Sequence, residues 1–258
     1  MKNNSVKEKL LKNELTIGSW ITIGHPNIVE IMSNAGFEWL TIDLEHTSID
    51  LTMAQVLITT IQSRNMKALV RVSKNEEVAI KRVLDMGADG VIIPMVNNHD
   101  DAQKAIEYVK YPPLGKRGVG LYRAQNYGLG FEEYKQWVND DVIIIAQIEH
   151  IEAVENIKSI INVEGIDGTI IGPYDLSGSM GFPGDYNRVD VQDAIKKVKN
   201  ACVEANIPFG FHVIESDPAA LQLKINDGAT FLAYSADFLF LGDKARDGMN
   251  KIKEGLCK

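Results

Sequence analysis

Cysteine is scarce in this chain, and that scarcity excludes several classes of protein. The 258 residues hold two cysteines, Cys202 and Cys257. Their positions give neither metal-ligand nor redox spacing, so a disulfide scaffold, a zinc ribbon and a thiol-redox motif are excluded. Cys202 falls in a helical pattern and reads as packed; Cys257 sits in the tail. Such usage fits a reducing, cytoplasmic setting. Basic charge is also short: 27 Lys and Arg face 35 Asp and Glu, a net charge of -8. With no basic run, a nucleic-acid partner is not expected, although a few local cations could still hold a small anion. No apolar run is long enough to span a bilayer. The opening MKNNSVKEKLLKNEL lacks the apolar stretch of a signal peptide, so neither membrane nor export is expected. A GxGxxG fingerprint after the first strand is missing as well. Gly118 and Gly120 approximate it only within a loop, so no nucleotide cofactor is expected.

What is present is an ordinary globular mixture, 45% hydrophobic and 24% charged. The length suits one α/β barrel and needs no cross-links to hold a core. Short β-branched runs alternate with segments of helical apolar spacing. LTIGSWITIG precedes a helix opened by Pro26 and stopped by Gly36. FEWLTIDLEH precedes a helix from Leu51 to Arg64, and MKALVRV one from Glu76 to Met86. DGVIIPM precedes a helix from Asp100 to Val109. VIIIAQI and GTIIGPY are joined by a helix from Glu152 to Asn162, and a helix from Val191 to Ala205 leads to IPFGFHV. A helix from Pro218 to Asp227 and the run ATFLAYSAD lead to a last helix. About eight such alternations without a break in composition predict a single (β/α)8 TIM barrel over residues 1–258. Residues 111–130, YPPLGKRGVGLYRAQNYGLG, show no period and are too long for an idle connection. They read as an active-site lid.

In such a barrel the active site lies at the C-terminal ends of the strands. Those ends carry Asp43, Glu45, His46, Arg71, Gln147, Glu149, Asp175 and His212; the N-terminal ends carry nothing comparable. Glu149 and Asp175 follow consecutive strands joined by a helix, so they are expected to meet at one rim. Taken singly, each would read as a surface acid. Gln147 shares a face with Glu149. Two carboxylates without a thiol favour a hard cation, Mg²⁺ or Mn²⁺, with Co²⁺ as a substitute. Zinc would instead draw His46 and His212 to an acid. An isolated histidine reads as a cap or packing residue, but His46 follows Asp43 by three. That carboxylate could fix the ring's tautomer and make it a general base. Arg71 either pairs with the acids or stabilises developing negative charge. Metal, base and arginine suit enolate chemistry on a chelating 2-oxo acid. A Schiff-base route needs a lysine in the mouth, and Lys67, Lys110 and Lys116 all lie elsewhere.

At these residues the chain resembles the metal-dependent pyruvate aldolases of the 4-hydroxy-2-oxoheptanedioate aldolase family, relatives of the citrate lyase β subunit. The resemblance spans nearly the whole chain. It rests on IDLEH, LVRV, LDMGADGVIIPMV, YPPLGKRGVG, the QIE of Gln147 to Glu149, and VEGIDGTIIGPYDLSGSMG. It implies a (β/α)8 barrel with a swapped last helix, in a homohexamer built from dimers. It further implies Glu149 and Asp175 as metal ligands, His46 as base, Arg71 as enolate stabiliser and Gln147 as a substrate contact. Asp43 resembles the acid that supports the base, and Asp85 a further acid that raises its basicity. By periodicity alone Asp85 is a surface helix residue. Gly172, Pro173, Tyr174 and Asp175 resemble the loop whose backbone holds the pyruvate carboxylate. Tyr174 and His212 depart from the family pattern; with Tyr122 and Arg123 they are expected to face the aldehyde half.

The implied activity is that of a lyase: a 4-hydroxy-2-oxo acid gives pyruvate and an aldehyde through the pyruvate enolate. The alternative on the same site is a biosynthetic condensing enzyme of the citrate synthase kind, which would depend on coenzyme A. A non-catalytic oxo-acid-binding protein would have no use for His46 as a base.

Overall fold

The β-branched runs pair side by side until they close on themselves. The computed structural model describes residues 5–256, so Cys257 lies outside the described residues. Eight parallel strands form a closed barrel in chain order: β1 Thr16–Ile21, β2 Trp39–Asp43, β3 Lys67–Arg71, β4 Gly90–Ile93, β5 Ile143–Ile148, β6 Gly168–Ile171, β7 Gly210–Val213 and β8 Phe231–Ala236. The helices that return the chain on the outside are α2 Pro26–Ser33, α3 Leu51–Ser63, α4 Glu77–Asp85, α5 His99–Val109, α6 Phe131–Asp140, α7 Ile151–Glu155, α8 Ile157–Ile161, α9 Pro173–Ser179, α10 Val189–Ala205 and α11 Pro218–Asn226. At the two ends stand α1 Ser5–Leu11 and α12 Asp237–Leu256.

Period-two alternation divides the core into two layers. One set of side chains packs outward against the helices, as Ile42, Val70, Val91 and Ile144 do. The other fills the barrel: Trp39, Leu69, Ile92, Ile145, Ile170 and Phe231. Trp39 stacks on Phe231 at 4.4 Å, and Gly18 makes room for it. A Cβ on Gly18 would lie 2.0 Å from the Trp39 ring. The far end of the barrel is stoppered by α1, whose Val6 and Leu10 join this inner cluster. Burying each stabilises by roughly 1.5–3 kcal/mol. The opposite end is left open, and the same inward parity delivers Asp43, Arg71, Gln147 and His212 to it.

Several elements depart from the pattern read in the sequence. The helix expected from Glu152 to Asn162 is broken at Asn156, which caps α7 and begins α8. Its side-chain amide donates to the carbonyl of Asn97 at 3.0 Å, tying the break to the segment after β4. A helix not anticipated, α6, follows residues 111–130 and buries Tyr134 and Val138. The stretch 111–130 is no lid over its own mouth. It follows α5, so it starts from the end of the barrel opposite the site. It then straps the outer faces of α3 and α4: Tyr122 Oη donates to Gln55, and Arg123 donates to Gln62 and to the carbonyl of Met86. No residue of this strap lines the cavity at the mouth. Along α12 only Asp237 is buried; Phe238, Leu241, Met249, Ile252 and Leu256 are exposed. The described helices include none long and apolar enough to cross a membrane.

Candidate active site

Arg71, the last residue of β3, is the buried centre of the mouth. Its neighbour in register is Asp43, the last residue of β2, and the two meet as a two-pronged pair. Nε donates to Oδ1 at 3.0 Å and Nη2 to Oδ2 at 2.7 Å. Nη1 lies 3.3 Å from Glu45 Oε2, and the guanidinium sits 5.4 Å from the centre of the Trp20 ring. Burial pulls the Arg71 pKa down, but Asp43, Glu45 and Glu149 outweigh it, and the net shift is upward. Burial pushes Asp43 up, and its bonds to Arg71 and to the N–H groups of Glu45 and His46 more than reverse that. Asp43 is therefore held below the usual carboxylate range. The pair is a fixed, charged anchor.

Glu149 follows β5 and is buried beside it. Its Oε1 accepts from the backbone N–H of Met95 at 2.7 Å; its Oε2 accepts from Gln147 Nε2. Burial pushes the carboxyl up to about 7; Glu45 and Asp175 add to the rise against the Met95 N–H and Arg71. Glu45 is also raised, first by burial and then by Asp43 and Asp175, with Arg71 opposing. Three carboxylates, Glu45, Glu149 and Asp175, thus feel one another across the mouth. Gly172 lets the chain close on them: a Cβ there would lie 3.2 Å from Gln147 Nε2 and from Glu149 Oε2. Among the described residues the buried acceptor Gln147 Oε1 has no hydrogen-bond donor, and Glu45 Oε2 has its ion pair with Arg71 but no hydrogen bond.

This donor set fits a divalent cation with oxygen ligands. Like-charged, desolvated carboxylates with vacant lone pairs are what such a cation relieves. Among the described residues no group of three or more His, Cys, Asp or Glu side chains is arranged to enclose a metal.

Of the residues expected at the site, His46, Arg71, Gln147, Gly172, Pro173, Tyr174, Asp175 and His212 line one cavity of about 160 Å³ at the mouth. A larger groove of about 580 Å³ lies outside the barrel along α8 and α10, and none of these residues lines it. Two expected contacts are not made within this chain. Asp43 does not orient the His46 ring: its carboxylate holds Arg71 and accepts from the backbone N–H of His46 at 3.3 Å. The ring itself is exposed, with Nε2 3.8 Å from Glu45 Oε2. Asp85 does not reach the base within this chain. It ends α4, and each helix runs against its strand, so that end points away from the mouth. There Asp85 accepts from Arg117 Nη2 at 2.6 Å. Tyr122 and Arg123 go with the strap and likewise do not face the cavity of their own chain.

Sequence reasoning missed Trp20, which lies under Arg71 and stacks on His212 at 4.5 Å. Its parity with Gly18 on the first strand was the available signal. It also left Glu45 without a role, although Glu45 shares parity with Asp43. The part played by Met95 had no signal. Its backbone takes φ 52°, unusual for a non-glycine residue, and it aims an N–H at Glu149.

A closed parallel barrel with an arginine, a histidine and a surplus of carboxylates at the C-terminal mouth defines a (β/α)8-barrel enzyme for small polar substrates. The sequence profile of the HpcH/HpaI aldolase/citrate lyase family matches residues 16–241. A hydroxypyruvate/pyruvate aldolase of Roseobacter denitrificans is 31% identical over 98% of both chains. A 4-hydroxy-2-oxo-heptane-1,7-dioate aldolase of Shigella sonnei is 36% identical over 94% of this chain and 92% of its own. The crystal structure of an HpcH/HpaI aldolase/citrate lyase family protein from Burkholderia cenocepacia superposes with a TM-score of 0.91. It is 30% identical over 97% of this chain and all of the other. The chain belongs to the HpcH/HpaI aldolase/citrate lyase family.

Proposed function

We propose that this protein is a metal-dependent pyruvate aldolase, a carbon–carbon lyase that splits a 4-hydroxy-2-oxo acid into pyruvate and an aldehyde, or joins them. The observation that carries the reading is the buried Arg71, which lines one cavity with Asp175 and is electrostatically coupled to the adjacent Glu45 and Glu149 carboxylates. Glu149 and Asp175 would hold Mg²⁺ or Mn²⁺, which when bound supplies a Lewis acid for the 2-oxo acid. The protein's own groups do the rest. His46, exposed to the cavity, takes the proton from the C4 hydroxyl. The C3–C4 electrons pass toward C2, the aldehyde departs, and Arg71 stabilises the enolate charge. A solvent proton adds to C3 to complete pyruvate, and His46 returns to solvent the proton it took. Gln147 contacts the oxo acid, and the backbone from Gly172 to Asp175 receives its carboxylate.

The exposed apolar side chains of α12 support a further part of the reading, that this helix packs on a second copy in a homohexamer. The primary test is to incubate the protein with Mn²⁺ and a panel of 4-hydroxy-2-oxo acids and assay pyruvate release. No release from any member would overturn the reading. For the assembly, light scattering at micromolar concentration should report a hexamer, and a monomer would contradict it.

A further inference from the structure

We propose that His212 selects the aldehyde half of the substrate: with its Nε2–H given to the Ser235 carbonyl, the ring offers Nδ1 to the mouth as an acceptor. It thereby favours an uncharged aldehyde that carries a hydroxyl over one that carries a second carboxylate. The proposal rests on the aldolase reading and names the acceptor class within it.

The geometry begins with a bulge. Gly18 pairs with Ala233, but Trp20 pairs with Ala236, so β8 carries one extra residue there. Ser235 falls in that interval with φ 52°. A non-glycine residue in this region is strained, and bulges at barrel rims re-aim groups toward sites. Here the re-aimed group is the Ser235 carbonyl, 3.2 Å from His212 Nε2. The Ser235 hydroxyl is tied to the Ile214 carbonyl at 3.0 Å, which holds the bulge in place. A carbonyl only accepts, so Nε2 carries the proton. The stack on Trp20, 16° from parallel, fixes the plane of the ring.

A neutral imidazole has one donor and one acceptor. Burial lowers the His212 pKa to about 4, so at neutral pH the remaining nitrogen, Nδ1, is an acceptor. Nδ1 has no partner among the described residues, yet it is not one of the buried polar atoms sealed off without a partner. The open space beside the ring is the cavity that His212 lines with Ile170, Ile214 and Tyr174. Arg71 is the one Arg or Lys lining that cavity, and Asp43 and Glu45 already engage it. A second substrate carboxylate would therefore meet an acceptor lone pair and no free cation. A hydroxyl would donate to Nδ1.

The test is aldol addition to pyruvate with Mg²⁺ and three aldehydes of related size: lactaldehyde, propanal and succinic semialdehyde. Wild type should use lactaldehyde about tenfold better, by kcat/KM, than either of the others, the scale of one neutral hydrogen bond. In His212→Leu the advantage over propanal should collapse. A wild-type preference for the semialdehyde, or an unchanged lactaldehyde-to-propanal ratio in the variant, would overturn the proposal. Exchange of the pyruvate methyl protons in D₂O by wild type separates the two layers of argument. No exchange and no addition would overturn the aldolase reading and this proposal with it. Exchange and addition without the preference would overturn this proposal alone. If His212→Leu fails to fold, long-range ¹⁵N–¹H correlation on the wild-type ring reads the tautomer. A proton on Nδ1 would overturn the assignment, and one on Nε2 supports it.

Discussion

Arg71 and Arg117 are both buried and both locked to a carboxylate, yet their surroundings are opposites. Around Arg71 the groups without a hydrogen bond are acceptors: Gln147 Oε1, and Glu45 Oε2, which has only an ion pair with Arg71 itself. Around Arg117 they are donors, its own Nε and Nη1. Those donors lie among aromatic rings: the guanidinium is 4.8 Å from the Tyr111 ring centre and 5.4 Å from that of Tyr134. Its Nη2 reaches Asp85 and the Tyr134 hydroxyl. Aromatic faces partly satisfy a buried cation without any outside partner. Gln147 Oε1, beside repelling carboxylates, has no such cover. Both sites satisfy the rule that a buried charge is paired. Only the mouth is left asking for a cation or a donor from outside, and this is what separates a site from a structural anchor.

The harshest way to break this contrast is to remove the cation. EDTA should abolish pyruvate release, and Mg²⁺, Mn²⁺ or Co²⁺ should restore it, because Glu149 and Asp175 offer hard oxygen ligands. Full turnover by metal-free protein would leave the acid surplus unexplained. Next in size is Arg71→Ala, expected to lower kcat/KM by at least about 10²–10³-fold, the cost of one lost preorganised donor. His46→Ala should cost about 10²–10⁴-fold in cleavage. NMR of the pyruvate methyl group in D₂O with Mg²⁺ distinguishes the two, since methyl exchange involves no C4 hydroxyl. Arg71→Ala should lose exchange along with cleavage, whereas His46→Ala should retain measurable exchange. Normal exchange in Arg71→Ala would remove the arginine from the enolate.

Only the Arg71 side of this contrast was within reach of the sequence, for a simple reason. Strand parity is strict, so once the runs IDLEH and LVRV are read as strands, Asp43 and Arg71 must point the same way as Trp39 and Leu69. The register of β2 and β3 then makes their pairing unavoidable. What escaped the sequence depends on departures from regular geometry or on the direction of the chain. The extra residue in β8 and the φ of Met95 leave no periodic trace. The break at Asn156 is set by a carbonyl 59 positions away. Asp85 was assigned to the mouth by resemblance, and the strap by its length and lack of period. Chain direction alone puts the end of α4, and the stretch after α5, at the other end of the barrel.

A milder change sharpens the contrast from the other side. Arg117→Leu should destabilise the fold by about 2–4 kcal/mol, combining a lost charge-assisted hydrogen bond with lost stacking on two rings. Asp85 retains some access to water, which limits the penalty of leaving it unpaired. Denaturant midpoints at constant slope would measure the loss. Because the strap does not line the cavity, kcat per folded molecule should stay within about threefold of wild type, below what one lost catalytic hydrogen bond costs. A hundredfold fall would mean that the anchor and the site are one system.

The smallest expected effect lies within the mouth, where His212 stays uncharged beside its charged neighbours. Burial lowers its pKa to about 4 from an ordinary 6.5, with Arg71 assisting and Ser235, Asp43 and Glu215 opposing. The folded ring therefore refuses a proton that the unfolded ring accepts below pH 6.5. Stability is insensitive to this group above that value and falls as pH drops from 6.5 toward 4. At pH 5 the loss amounts to up to about 2 kcal/mol. His212→Gln removes the titrating group, so its stability relative to wild type should improve by that amount between pH 7 and pH 5. Parallel urea titrations at the two pH values would read the difference, with the carboxylates of the mouth common to both proteins. An equal acid loss in wild type and variant would show that the ring protonates as readily in the folded barrel as in the unfolded chain. The mouth would then present a cation at His212, and its pairing with the Ser235 carbonyl would no longer leave an acceptor facing the substrate.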